Sequence, residues 1–132
     1  MEISAAVVNG LMGNTVTAKT SSVTQSLVIP AKGNGRGSSV NGGEFLMLAL
    51  ATCFCNDLYR EADRLQIPVD GVEVEATADF PGVGLVAQNI TYRVRVNSKA
   101  GASVIAELLR QTDMVAEVRN TVRAGARVML VG

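Results

Sequence analysis

Cys53 and Cys55 are the only two cysteines of the chain, set two residues apart in an apolar stretch. A thiolate attacks electrophilic oxygen or sulfur, and a protonated thiol does so poorly. On a helix, residues two apart are turned by about 200° about the axis, so the pair cannot close a disulfide without unwinding it. At most one of them faces a given cleft. The plain alternative is that both are packed as small apolar residues, since free cysteine is among the most buried residue types. Two of the charged residues upstream of the pair are candidates to assist it. Glu44 stands where the apolar stretch begins; a first-turn carboxylate is favoured there by the helix dipole, and its functional use would be to orient an arginine or a substrate. Arg36 lies in a glycine-rich segment, either as a solvated loop charge or as a mobile guanidinium that stabilises a thiolate.

The rest of the composition narrows the chemistry. There is no histidine, which removes Ser-His-Asp triads, Cys-His dyads and histidine-based zinc sites within one chain. The acidic residues show no tight cluster, so no metal site is expected. Asp57, Glu61 and Asp63, with Arg60 and Arg64, read as exposed helix charges. Arg119, Arg123 and Arg127 are spaced by four and read as a solvated face. Twelve basic residues balance twelve acidic ones, which disfavours nucleic-acid binding as the main role. The apolar run from Phe45 through Cys55 is shorter than the roughly 20 residues that a membrane span needs. Met1-Glu2-Ile3-Ser4 lacks the basic and apolar regions of a secretory signal. The reading is a cytoplasmic chain with free thiols, one domain over residues 1–132, and no cofactor.

The elements that must position these residues follow from the hydrophobic period. Ile3–Val8, Thr15–Lys19 and Val23–Ile29 read as three antiparallel strands, the first two joined at Leu11-Met12 between glycines. Gly33–Gly43 reads as a mobile connector; it carries neither the G-x-G-x-x-G nor the P-loop pattern. Glu44–Leu65 has no Gly or Pro and reads as a long helix. Its first half is apolar on nearly every face and its second half is amphipathic, so the first half should enter a core or a subunit interface. Val69–Glu75 and Ile90–Val96 alternate as strands. Ala102–Thr112 is a second helix with Ile105, Leu108, Leu109 and Thr112 on one stripe. Asp113–Val122 either extends it or forms a short third helix, ending before Gly125. Arg127–Val131 reads as a last strand. The order is βββ-α-ββ-α-β, an α+β pattern.

From Gly43 to Phe54 the sequence resembles the OsmC/Ohr family of osmotically induced and organic hydroperoxide resistance proteins. Members carry a Glu at the start of a long apolar helix and a Cys-Phe about three turns in. The likeness continues over Ala62–Val74 and returns at Asn120–Gly125. The resemblance implies the OsmC-like fold in an intertwined homodimer. It also implies a peroxidatic thiol, matched here by Cys53, that reduces organic hydroperoxides with help from an Arg and a Glu. In the family a second cysteine condenses with the resulting sulfenic acid. Here that position aligns with Ala116. The family's first-hairpin Arg is replaced by Leu11-Met12-Gly13, with Arg36 as substitute, and Glu44 is displaced by one residue.

The sequence therefore leads to a one-cysteine reductase of organic hydroperoxides. Its catalytic candidates are Cys53, Glu44 and Arg36, and an external thiol serves as resolving partner in the oxidative-stress response. The competing readings are a non-catalytic member that binds a small apolar ligand in the dimer cleft, and a structural protein whose cysteines are merely packed. No nucleic-acid or membrane partner is expected.

Overall fold

A two-residue loop, Leu11-Met12, joins β1 (Ile3–Gly10) to β2 (Gly13–Thr20) in an antiparallel ladder that pairs Gly10 with Gly13. Gly13 takes a φ of +114°, a conformation that a side chain would obstruct at this turn. β3 (Val23–Leu27) adds to the other edge of β2. It stops two residues short of the expected Ile29. Asn14 Nδ2 donates to the Ile29 carbonyl at 2.9 Å, and Pro30 has no N–H to offer a ladder. In the computed structural model, which describes residues 1–132, these strands belong to the first of two compact units, Met1–Glu44 and Phe45–Gly132.

The glycine-rich segment that follows is tied down, contrary to the reading of a mobile connector. Lys32 N–H donates to the Gly37 carbonyl, Ala31 and Ser38 form a bridge, and the Asn9 amide holds Gly37 by both its N–H and its carbonyl. The segment ends at a capping box. Asn41 Oδ1 accepts from Glu44 N–H at 2.8 Å, and Glu44 Oε1 accepts from Asn41 N–H at 3.1 Å. Two donors at the start of the helix are thereby satisfied reciprocally. The helix, α1, runs from Gly42 to Leu65.

The core of the second unit follows from the period of α1. Phe54, Leu58 and Ala62 recur at four-residue spacing and are buried together with Leu108 and Ala116. They pack on a two-stranded antiparallel sheet, β4 (Gly71–Asp79) with β5 (Gln88–Asn97). Strand alternation sends Val72, Val74, Tyr92, Val94 and Val96 toward that cluster. The opposite face pairs Glu73 with Arg95 and Glu75 with Arg93 across the ladder, a cross-strand match of opposite charge. The Phe54 and Tyr92 rings meet at 4.9 Å between centroids.

α2 (Ala102–Val115) places Ile105, Leu108, Leu109 and Thr112 on one stripe as expected, and continues three residues past Thr112. Thr112, fully buried, returns its hydroxyl to the Leu108 carbonyl at 2.8 Å. The chain then breaks at Ala116, whose extended conformation (φ −68°, ψ 105°) separates α2 from a third helix, α3 (Glu117–Ala124). Gly125 caps α3 in the left-handed region, its N–H directed to the Thr121 and Val122 carbonyls. The last strand expected over Arg127–Val131 joins no ladder; Val128, Met129, Leu130 and Val131 are exposed. No helix is long and apolar enough to cross a membrane.

Leu108 has no exposed surface, so Leu108→Ala is expected to destabilise the fold by about 2–5 kcal/mol through lost burial and a residual cavity. Glu73→Gln on the outer sheet face should change stability by less than about 0.5 kcal/mol. Chemical denaturation of both variants checks the contrast.

Candidate active site

Helical geometry sets Cys53 beside the buried stripe, since it precedes Phe54 by one residue and Leu58 by five. The same edge of α1 carries Asp57 and Glu61 at four-residue intervals. They are only 5% and 6% exposed. This corrects the reading of both as exposed helix charges. Their neighbours Arg60 and Arg64 do reach solvent, and each lays its guanidinium back on the buried carboxylates: Arg60 on Asp57 at 3.1 Å, Arg64 on Glu61 at 2.8 Å. Arg64 also donates to Gln111 Oε1 on α2.

Cys53 is half-buried and free. Its Sγ lies 3.4 Å from Asp57 Oδ2 and 3.7 Å from Glu117 Oε2 at the start of α3. Arg60 completes the group, 3.7 Å from Glu117. Burial pushes the Cys53 thiol above the ordinary cysteine value, the hydrogen bond from the Val118 main chain pulls the other way, and the Asp57 and Glu117 carboxylates add to the rise. Burial also raises Asp57, and the neighbouring Glu117 carboxylate reinforces this. Glu117 is exposed and is lowered, first by the free N–H at its own helical start and then by Asp57. The resting arrangement is thus a protonated thiol donating to a carboxylate. Asp57 is the more easily protonated of the two carboxylates, and Arg60 is set against both.

Such a group can take a proton from sulfur and hand it on. One donor atom from each of Cys53, Asp57 and Glu117 lies within 4.8 Å of the others. This is the tight set of possible ligands that the sequence reading did not find. The Arg60 guanidinium already offsets part of the negative charge of these carboxylates.

The sequence named Cys53, Glu44 and Arg36. Cys53 stands at the centre of this cluster. Glu44 belongs to the first unit, where its carboxylate closes the capping box on Asn41. Arg36 is an exposed residue of the same unit, its N–H held by Asn34 Oδ1 at 3.0 Å. Asp57, Arg60 and Glu117 were missed as site residues. The first two were visible in outline, because Asp57 follows Cys53 by four and adjoins Leu58. Glu117 comes from another helix 64 positions away, and no local pattern reports it. Cys55 is also half-buried and free.

The proximity of two carboxylates has a measurable consequence. In a Cys55→Ser background, the rate of Cys53 alkylation against pH should reach half its maximum above about 8.5, the value of an unperturbed cysteine. Glu117→Gln removes a negative charge that opposes thiolate formation. It should lower that midpoint by about 0.7 pH units, the effect of a charge ~4 Å away in water.

The chain matches the family model of OsmC-like proteins over residues 35–131. No curated protein sequence matches it. Among solved structures it is similar to an OsmC-like protein of Mycoplasma pneumoniae at 17% identity, covering 100% of this chain and 99% of that one with a TM-score of 0.70. It is similar to an organic hydroperoxide resistance protein of Legionella pneumophila at 16% identity, with coverage of 93% and 90% and a TM-score of 0.58. It is likewise similar to the organic hydroperoxide resistance protein OhrB of Bacillus subtilis at 17% identity, with coverage of 95% and 93% and a TM-score of 0.58. At these identities the structures speak for the fold, and they agree with the α+β architecture expected from the sequence. With a family match over most of its length and that fold throughout, the chain belongs to the OsmC-like protein family.

Proposed function

We propose that the protein reduces organic hydroperoxides, with Cys53 as the attacking thiol and an external thiol as the resolving partner. The observation that carries this reading is the hydrogen bond between the half-buried Cys53 thiol and Asp57, with Glu117 alongside. A thiol whose pKa is raised by burial needs a base at the moment of reaction, and a carboxylate in contact with sulfur meets that need. The names of the Legionella pneumophila and Bacillus subtilis neighbours, both organic hydroperoxide resistance proteins, support the substrate class.

The chemistry balances with these residues. Sulfur forms a bond to the terminal oxygen of R–O–O–H as the O–O bond breaks. The thiol proton passes to the carboxylate pair, and a proton from that pair reaches the departing alkoxide to give ROH. Sulfur is oxidised by two electrons to the sulfenic acid and the peroxide is reduced. One external thiol then forms a mixed disulfide with Cys53 and releases water. A second restores the Cys53 thiol and leaves as the external disulfide. Ala116, where the family's second cysteine aligns, cannot serve, and Cys55 lies about 200° around the helix from Cys53.

Brief exposure of the reduced protein to cumene hydroperoxide with a sulfenic-acid trap should add the trap's mass at Cys53, faster than on free cysteine. Cys53→Ser should show none. Absence of the adduct would overturn the reductase reading. It would leave the non-catalytic alternative, a member that binds a small apolar ligand beside a protonated thiol.

The active form we propose is a homodimer. In the first unit only Val16 among the apolar residues is buried, while Ile3, Val7, Val8 and Val23 are each more than half exposed. Leu48 in the apolar first half of α1 is 54% exposed, and the apolar segment Val128–Val131 has no ladder in its own chain. So much exposed apolar surface calls for a partner. Size-exclusion chromatography with light scattering should give twice the 13.8 kDa chain mass; a monomer at micromolar concentration would contradict it.

A further inference from the structure

The second unit contains a cavity of about 520 Å³ between α1, β5, the end of α2 and α3. That volume falls within the range of small-molecule sites, about 300–1,000 Å³. Its walls divide by chemistry. Leu50, Ile90, Val122 and the Tyr92 ring form the apolar part, while Asp113, Arg119 and Arg123 form the polar part. None of this is needed for the thiol chemistry, which involves Cys53, Asp57, Arg60 and Glu117.

The charges in the cavity do not cancel. Asp113 accepts a hydrogen bond from the Tyr92 hydroxyl and pairs with Arg119 at 2.9 Å. Arg119 spends another donor on Asn120 Oδ1. Both terminal nitrogens of its guanidinium are thereby engaged, and only 22% of its side chain is exposed. Arg123, one helical turn on, makes no ion pair or side-chain hydrogen bond within the unit. The cavity is thus left with one surplus guanidinium beside an apolar wall. A guanidinium presents paired donors that match a carboxylate. A single surplus charge is balanced by a monoanion, and an apolar wall gains from an apolar body.

We propose that this cavity is a binding site for a small amphipathic organic acid, with its carboxylate on Arg123 and its hydrocarbon part against Leu50, Ile90, Val122 and Tyr92. The site goes beyond the reductase reading and is independent of it. Arg123 also stands in the last turn of α3, where a cation is favoured by the helix dipole. That role alone would make it a contributor to stability and not to binding, and the two are separable.

Octanoate is the probe, titrated into the full-length protein and into Cys53→Ser by calorimetry and by amide chemical shifts. The Cys53→Ser arm keeps the result independent of whether the thiol turns over peroxide. Saturable binding is expected in both, with shifts centred on Ile90, Tyr92 and Val122. Octanol, with a similar chain and no charge, and inorganic phosphate, charged with no chain, should each bind at least tenfold more weakly. Arg123→Gln should weaken octanoate at least tenfold, and Arg123→Lys, which keeps the charge and loses the fork, should fall between. Octanol binding as tightly as octanoate, an unchanged affinity in Arg123→Gln, shifts centred elsewhere, or no binding would each overturn the proposal.

Discussion

The second unit depends on one constraint: α1 must bury Phe54, Leu58 and Ala62 against Leu108, Ala116 and the inner face of β4–β5. Burying that stripe fixes the rotation of the helix. Once the rotation is fixed, Cys53, Asp57 and Glu61 fall along the border of the core, where water is partly excluded and charge is costly. The site is therefore a by-product of packing in a literal sense. Cys53 itself packs against the cluster that holds the helix in place. The thiol and its carboxylate owe their perturbed protonation to the depth at which those residues set them.

Two buried carboxylates on one helix edge require compensation, and two arginines supply it. Arg60 and Arg64 lie at the rim and keep their guanidinium groups partly in solvent while reaching Asp57 and Glu61. Long arginine side chains can do this at little desolvation cost. At Asp57 the second negative charge of Glu117 arrives from α3 and raises its affinity for a proton. The carboxylate that contacts the thiol is thereby made a stronger base than an ordinary aspartate. A fully neutralising ion pair would make Asp57 a poorer base, and leaving the buried Asp57 carboxylate without any cation would be destabilising.

What the sequence disclosed follows the range of the interactions. Hydrophobic period located β2, β4, β5, α1 and α2, because each sets one face toward a core, whereas β1 was read from its small and branched residues and is exposed along its whole length. The capping box of Asn41 and Glu44 and the stop at Gly125 are equally local, and Gly125 was read correctly. Glu44 shows the limit of such reading: a first-turn carboxylate was open to two uses, and the reciprocal hydrogen bonds to Asn41 occupy it in the cap. Val28 and Ile29 look like strand, yet the Asn14 side chain takes the Ile29 carbonyl, an interaction that no alternation pattern encodes. Arg119 looked like part of a solvated stripe until Asp113 on the preceding helix claimed it. Glu117 reaches Cys53 only because the chain turns at Ala116.

That turn carries a further consequence. Ala116 is 1% exposed and belongs to the core cluster, so its small side chain is part of the packing of Phe54, Leu58 and Leu108. It also sits at the joint that aims the first residue of α3 at the thiol. At the position where the OsmC/Ohr resemblance places a resolving cysteine, this chain has a methyl group that packs. The carboxylate of the next residue meets the sulfur instead. The exchange alters which later steps the site can perform. A cysteine there could condense with a sulfenic acid, whereas a carboxylate can only move protons. A chain built in this way cannot close an internal disulfide from Cys53. Under the proposed reductase reading, an oxidised Cys53 would have to be resolved by a thiol from outside, and its half-buried setting would leave a route for one.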